Sequence, residues 1–175
     1  MTSKRVVLSQ EDIAARVAEL GGEISARYAG RPLVLIGVLN GAFIFMADLA
    51  RALSMEVELD FVRVASYGMS SSSSGTISLS KDVELDLTGK DVLLVEDIVD
   101  SGRTLAWLKD FFSKKGAASV RICTLIDKKE RRQVDVQADF SGFAVEQGFL
   151  VGYGLDWAER YRNLPAVYHL EDPAV

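Results

Sequence analysis

Two short apolar runs constrain the fold of this chain more than any other feature of its sequence. Residues 33–39 are Leu-Val-Leu-Ile-Gly-Val-Leu, and residues 91–95 are Asp-Val-Leu-Leu-Val. Each run has the length of a strand and is apolar on both faces, a pattern typical of strands covered on both sides. Such strands belong to parallel sheets, and a helical pattern follows each run. The sequence therefore predicts an α/β domain with a largely parallel sheet flanked by helices.

Local signals predict the other elements. Ser9 and Asp12 have the spacing of a capping box in front of an amphipathic helical pattern. Residues 56–61 alternate between polar and apolar types, which predicts a half-exposed strand. Gly116 is placed to end a helix over 104–115. A helix over 43–53 and short strands over 119–126, 140–145, 149–152 and 166–170 complete the prediction.

Length and composition exclude several classes of protein. The 175 residues suit a single domain covering 1–175, and the chain has one cysteine and one histidine, Cys123 and His169. An intrachain disulfide and a Cys-rich or His-rich metal site are therefore excluded. The first eight residues contain no apolar run typical of a secretory signal, so we expect a cytoplasmic protein. The uncharged stretch over 32–47 is shorter than the roughly 20 residues that a membrane span needs.

The charge balance also bears on possible partners. Twenty Lys and Arg against 25 Asp and Glu give a net charge of −5. This balance argues against a protein that binds nucleic acid through a basic face, so we expect neither a nucleic-acid nor a membrane partner. An anionic ligand would have to be held by local groups.

A serine-rich stretch separates two predicted strands. Residues 66–80 contain eight serines and two glycines, with five serines in succession over 70–74. Such a composition cannot bury enough apolar surface to fix its own structure, which predicts a mobile loop. The residues alone leave open whether this loop is a functional lid or plain disorder.

The most informative segment follows the second apolar run. Residues 96–104 are Glu-Asp-Ile-Val-Asp-Ser-Gly-Arg-Thr and lead into a helix. Glu96 and Asp97 are adjacent carboxylates directly after a buried strand, which costs stability unless a cation or hydroxyl donors compensate. Asp100 to Thr104 offer successive amides, two hydroxyls and the start of a helix, which are the elements of a phosphate site. A well-capped turn would need fewer acids.

Four segments carry a resemblance to a known family. VLLVEDIVDSGRTL resembles the phosphoribosyl-pyrophosphate signature of the purine phosphoribosyltransferases, specifically the hypoxanthine-guanine family. VLNGAFIFMADL resembles the family's pyrophosphate loop, VASYG with the serine run its flexible catalytic loop, and GFLVGYGLDWAERYRNLP its base and metal segment. The resemblance implies a Rossmann-like type I phosphoribosyltransferase fold with a small hood, a flexible loop over about 66–80 and a base and metal segment over about 140–170.

The resemblance also implies a reaction. Members of the family transfer the 5-phosphoribosyl group from phosphoribosyl pyrophosphate to N9 of hypoxanthine or guanine, which yields IMP or GMP and pyrophosphate for purine salvage. It implies Mg²⁺ as cofactor, a purine base and phosphoribosyl pyrophosphate as partners, and a homodimer or homotetramer. Two alternatives stay open, namely a xanthine-preferring enzyme and a non-catalytic nucleotide-sensing regulator on the same fold.

The phosphoribosyl signature assigns roles to consecutive residues. By the resemblance, Glu96 and Asp97 lie beside the ribose hydroxyls and a magnesium ion, and Asp100 is the general base that faces N7 of the purine. The 5′-phosphate is bound by Ser101, Gly102, Arg103 and Thr104.

The other motifs supply the rest of the expected site. The resemblance makes Asp156 a second magnesium ligand and gives Arg162 to pyrophosphate. Lys128 recognises the 6-oxo group, although the residues alone allow it to be part of a solvated basic cluster with Lys129, Arg131 and Arg132. The remaining members are Leu39, Asn40 and Gly41 in the pyrophosphate loop, Ser66 and Tyr67 in the catalytic loop, Phe149 stacked on the base, and Leu150 contacting the base through its backbone.

One departure from the family pattern concerns charge. The pyrophosphate loop usually carries a lysine before its glycine, whereas this chain has Asn40. We expect weaker pyrophosphate binding with retained catalysis, and we expect Asn40→Lys to lower the KM for phosphoribosyl pyrophosphate.

Overall fold

The structure is a computed structural model that describes residues 3–67 and 76–171. Three helices and nine strands lie in these ranges. In chain order they are β1 (Lys4–Leu8), α1 (Gln10–Arg27), β2 (Leu33–Leu39), α2 (Phe43–Ala52), β3 (Glu58–Tyr67), β4 (Thr76–Lys81), β5 (Asp91–Val99), α3 (Arg103–Lys114), β6 (Ser119–Lys128), β7 (Phe140–Val145), β8 (Leu150–Val151) and β9 (Val167–Leu170).

A six-stranded sheet forms the centre of the fold. Its strand order is β4-β3-β2-β5-β6-β7, and every neighbouring pair is parallel except β3 with β4. Helices α1 and α2 contribute to the core on one face, and α3 contributes to the core on the other. The predicted α/β class with a largely parallel sheet flanked by helices is confirmed.

The continuous apolar runs have a simple explanation in the packing. In β2, Leu33 and Leu35 join the core under α1 and α2, whereas Val34 and Ile36 join the core under α3. All four are nearly inaccessible to solvent. Successive side chains of a strand point to opposite faces, so a strand covered on both sides must be apolar at every position.

A second, antiparallel sheet forms the small hood. Its order is β1-β9-β8, so the start of the chain pairs with residues near its end. Strand β1 has no counterpart among the elements predicted from the sequence pattern. This strand has only five residues, two of them basic, and its partner β9 is remote in sequence, so its stability depends on a contact that local pattern does not reveal.

Three predicted boundaries need correction. Strand β5 does not end at residue 95 but runs to Val99, so Glu96 and Asp97 lie on a strand rather than in a turn. The loop expected over 66–80 is wrong at both ends, because β3 extends to Tyr67 and residues 76–80 belong to β4. Antiparallel pairing of β3 with β4 orders these ends. Residues 68–75, where the rest of that prediction falls, lie outside the described residues.

The remaining element predictions agree with the structure within a few residues. Ser9 accepts a hydrogen bond from the Asp12 amide and completes the capping box of α1. Gly116 has φ +93° directly after α3. Strand β3 begins at Glu58 rather than at residue 56, which is the largest shift at a strand start. In the described ranges, no helix is long and apolar enough to cross a bilayer.

Candidate active site

The predicted site residues converge at the carboxyl edge of the central sheet. Strands β2, β5 and β6 are parallel neighbours, so the segments that follow them meet at one edge. The segments over 40–42, 100–102 and 129–136 lie there. Ligand sites of open parallel sheets form at this edge, since the chain leaves the sheet there and backbone groups are free to face a ligand.

Glu96 and Asp97 form an acidic pair near the end of β5, in which Asp97 is buried and Glu96 is half-buried. Asp97 is 7% exposed, and its Oδ1 accepts a hydrogen bond from the Ile98 amide at 2.8 Å. Glu96 Oε1 accepts a hydrogen bond from the Asp97 amide at 3.1 Å. Burial, and then the charge of Asp97, raises the pKa of Glu96 well above its usual range, and burial also raises the pKa of Asp97. The charged forms of both carboxyls are therefore disfavoured in the fold, and a cation at this edge would stabilise them.

Two glycines allow three segments to meet at this pair. A Cβ on Gly41 would lie 2.0 Å from Asp97 Oδ2, and a Cβ on Gly154 would lie 2.1 Å from the Gly41 carbonyl oxygen. Gly154 also has φ +101°, which an L-residue rarely adopts. The predicted pyrophosphate loop thus packs between the acidic pair and the predicted metal segment, with no side chain in between.

The predicted phosphate segment forms a turn at the start of α3. The N-cap residue Gly102 has φ +81°, and no side chain caps the helix. Ser101 Oγ accepts a hydrogen bond from the Arg103 amide at 3.3 Å. A cavity of about 120 Å³ opens here between Glu96, Asp100, Ser101 and Thr104. The uncapped amides and the positive end of the helix favour an anion in this position.

Asp100 has an unsatisfied carboxylate oxygen. Its Oδ1 is buried, and no described residue donates a hydrogen bond to it. Asp100 also lines the cavity at the start of α3. A buried acceptor without a partner is costly, and a ligand that brings a donor would relieve that cost. Asp100 therefore offers an unpartnered acceptor to a ligand that binds at the start of α3.

Arg132 organises this turn, although its sequence pattern did not mark it as a site residue. Its Nε donates to the Asp100 carbonyl oxygen at 3.0 Å, its Nη1 donates to the Val136 carbonyl oxygen at 2.7 Å, and its Nη2 pairs with Asp127. The side chain is only 17% exposed, so the interpretation as part of a solvated cluster is wrong for this residue. The composition of the basic cluster could not identify Arg132, because only the fold shows which basic residue points inward.

Lys128 lies at the end of β6 and is also buried. Its Nζ donates to the Gly148 carbonyl oxygen at 2.9 Å and pairs with Glu130 at 3.1 Å, and the residue is 7% exposed. Phe149, next to Gly148, is 40% exposed, whereas Leu150 is buried. Phe149 thus directly follows the residue whose carbonyl holds the Lys128 ammonium. An exposed aromatic residue and an ammonium at neighbouring positions suit a flat polar ring such as a base.

The predicted metal segment contains Arg162, whose positive charge acts on the acidic pair. Arg162 pairs with Asp156 at 3.0 Å and with Glu159 at 3.0 Å, and its Nη1 donates to the Gly154 carbonyl oxygen at 2.8 Å. Its positive charge also opposes the upward shift of the pKa of Asp97. Within 3–67 and 76–171, no three acidic, Cys or His side chains are grouped closely enough to hold one metal ion. Asp156 therefore does not join Glu96 and Asp97 in a single cluster.

Ser66 and Tyr67 lie at the end of β3. Their backbones pair with Ile77 and Thr76 of β4. Strand β3 runs parallel to β2, so both residues lie on the same edge of the sheet as the pyrophosphate loop.

The fold and this arrangement of residues define a family. The family model described as phosphoribosyl transferase domain matches residues 6–157, which is most of the chain. The chain belongs to the phosphoribosyltransferase family.

Individual relatives define the branch of that family. The hypoxanthine-guanine phosphoribosyltransferase of Aquifex aeolicus is 50% identical over 96% of this chain and 95% of its own length, and that of Bacillus subtilis is 47% identical over 98% and 95%. A solved hypoxanthine phosphoribosyltransferase from Staphylococcus aureus superimposes with a TM-score of 0.92 at 38% identity, covering 96% of this chain and 91% of that one. These likenesses identify the chain as a member of the hypoxanthine-guanine branch.

The close approach of Gly41 to Asp97 generates a prediction. In Gly41→Ala the new Cβ must displace Asp97 or the loop, and a shift of about 1 Å at a reacting centre costs on the order of a hundredfold in rate. We expect a loss of that size in kcat/KM for phosphoribosyl transfer, measured in a steady-state assay. Gly22→Ala in α1 is the matched control, since nothing lies within 4 Å of its new Cβ. Full activity of Gly41→Ala would show that the loop is not held against Asp97.

The raised pKa of Glu96 generates a second prediction. A carboxyl whose pKa is higher in the folded chain than in the unfolded chain favours folding at low pH and loses that contribution as pH rises through the folded-state pKa. We expect Glu96→Gln to raise the free energy of unfolding at pH 8 by on the order of 1 kcal/mol, with a smaller gain at pH 5.

Urea denaturation at the two pH values, without divalent cations, measures this difference. Glu171→Gln makes the same charge change at an exposed position of the hood and is the control. An equal gain at both pH values would contradict a buried charge at Glu96.

Proposed function

We propose that this chain is a purine-salvage enzyme that transfers the 5-phosphoribosyl group from phosphoribosyl pyrophosphate to N9 of hypoxanthine and guanine. The products are IMP or GMP and pyrophosphate. The observation that carries the proposal is the buried, unpartnered Oδ1 of Asp100 in the cavity at the start of α3. The proposal also draws on the names of the relatives, which are hypoxanthine-guanine and hypoxanthine phosphoribosyltransferases.

The acidic pair acts on the sugar. Positive charge develops on the ribose ring as the bond to pyrophosphate breaks, and Glu96 and Asp97 lie at the edge where we place the ring. Anions held in a buried site stabilise such a charge more in the transition state than in the ground state, which is the requirement for catalysis.

Asp100 acts on the base. As N9 becomes the nucleophile, the proton on N7 of the purine must leave, and the free Oδ1 of Asp100 is the acceptor. Arg132 holds the carbonyl of the same residue, so we assign it a positioning role. The amides and hydroxyls of Ser101 to Thr104 bind the 5′-phosphate.

The donor set fits magnesium. Glu96, Asp97 and Asp156 supply carboxylate oxygens, the hard ligands that Mg²⁺ prefers. Among the described residues, no basic side chain forms an ion pair with Glu96 or Asp97, and Arg162 pairs with Asp156 instead. We assign Glu96 and Asp97 to one ion and Asp156 to a second, since the three do not form one cluster. When bound, the metal neutralises charge on the pyrophosphate. Arg162 contributes a positive charge on the same side.

Lys128 sets the preference for 6-oxopurines over adenine. An ammonium donates hydrogen bonds and accepts none, so it favours a 6-oxo group over the 6-amino group of adenine. Glu130 and the carbonyl of Gly148, the residue before Phe149, hold the ammonium in place. We assign Phe149 to stacking on the purine and the Leu150 backbone to the base edge. Ser66 and Tyr67 begin the loop that we propose to cover the reacting atoms and exclude water.

We further propose that the enzyme is cytoplasmic and forms a homodimer or homotetramer. Phe45 and Met46 are buried within one chain, so they are not available to an interface. Phe43, which also lies on α2, is 44% exposed, and Leu59 is 49% exposed. These two side chains leave apolar surface for a second copy.

An ultraviolet assay with magnesium and phosphoribosyl pyrophosphate tests the function. We expect turnover with hypoxanthine and guanine and none with adenine or uracil. Turnover with xanthine alone would support the xanthine-preferring alternative. Silence with every base would contradict transferase activity and favour a nucleotide-sensing regulator.

Asp100→Asn tests the general base. The substitution keeps the shape of the side chain but removes its basicity, so we expect kcat to fall on the order of a hundredfold with little change in KM. Steady-state kinetics with hypoxanthine measure both constants. Asp110→Asn, on the exposed part of α3, serves as the control. Unchanged turnover in Asp100→Asn would exclude this role.

A further inference from the structure

Arg63 lies beside the pyrophosphate loop on the neighbouring strand. In the parallel pairing of β2 with β3, Arg63 lies opposite Leu39, the last residue of β2. Its Nη2 donates a hydrogen bond to Asn40 Oδ1 at 2.6 Å. Both residues are exposed. The side chain of Asn40 therefore orients a guanidinium at the carboxyl edge of the sheet.

The loop itself carries no charge, although its proposed ligand is strongly anionic. Residues 39–42 are Leu-Asn-Gly-Ala. On one side of the loop, Gly41 packs against Asp97. Arg63 lies on the other side, and the strand order β3-β2-β5 separates it from Asp97 by two strand spacings, about 10 Å. A magnesium-bound diphosphate over the loop would therefore lie between the acidic pair and Arg63.

The two cations near the loop differ in their partners. Arg162 is engaged by Asp156 and Glu159. Arg63, by contrast, takes part in no ion pair with another described residue, and its one side-chain partner there is the neutral Asn40. An acceptor amide fixes the direction of a guanidinium without neutralising it, so the charge stays available to a phosphate.

We propose that Arg63 is a pyrophosphate-binding residue of this enzyme and that Asn40 is its positioning residue. Together they supply, from the neighbouring strand, the positive charge that the loop lacks. This inference rests on the proposed function and changes one earlier expectation. Since a cation is already present, Asn40→Lys gains nothing in the natural chain, because it removes the acceptor and brings a second positive charge against Arg63.

Arg63→Gln is the first test. Losing one charged contact to a phosphate that is held equally in ground and transition states should raise the KM for phosphoribosyl pyrophosphate about tenfold, with kcat and the KM for hypoxanthine unchanged. Calorimetric titration with magnesium pyrophosphate should show weaker binding by the same factor. Arg27→Gln makes the same charge change at the end of α1, near the opposite edge of the sheet, and should alter neither value.

Relocating the charge is the second test. In the Arg63→Gln background, Asn40→Lys should restore the affinity for magnesium pyrophosphate, whereas in the natural background it should not improve it. An equal gain in both backgrounds would overturn the inference, since the two positions would then act independently. Unchanged pyrophosphate binding in Arg63→Gln would also overturn it.

The same experiments separate this inference from the proposed function. If the natural chain turns over oxopurines while Arg63→Gln binds pyrophosphate normally, the function stands and the role of Arg63 is wrong. If no base is turned over but Arg63→Gln weakens pyrophosphate binding, the role of Arg63 stands and the proposed reaction is wrong.

Discussion

The placement of two adjacent carboxylates near the end of β5, one buried and one half-buried, is the constraint around which the site is built. Glu96 and Asp97 stay close to each other although burial disfavours their charged forms. The fold holds them there with backbone amides and with the packing of Gly41 against Asp97. Ionising these carboxyls costs stability in the absence of ligand, and in our proposal a metal cation or the developing sugar cation offsets that cost.

Different groups surround the two sides of that pair. On the β6 side, Arg132 fixes the turn that carries Asp100, and Lys128 is held by the carbonyl of Gly148, the residue before Phe149. On the β3 side, Asn40 orients Arg63 at the edge of the pyrophosphate loop. In our proposal the base and 5′-phosphate therefore lie on one side of the acidic pair and the leaving group on the other.

Much of this could be predicted from sequence because the signals were local. The alternation of side chains makes a doubly covered strand apolar throughout, so β2 and the first half of β5 were identifiable. The capping box at Ser9 and the glycine after α3 marked helix ends for a similar reason. The extension of β5 to Val99 was missed because polar residues on a strand resemble a turn in local pattern.

The sequence by itself determined the α/β class, the family and the identity of the candidate residues, since these depend on residue type and order. Only the tertiary structure decided which charges face the site. Arg132 and Arg63 are indistinguishable in sequence from solvated arginines, and the roles that we propose for them depend on carbonyl and amide groups supplied by other segments. Three further features arise from residues far apart in the chain, where local pattern carries no information. They are the pairing of β1 with β9, the close approach of Gly41 to Asp97, and the unpartnered Oδ1 of Asp100.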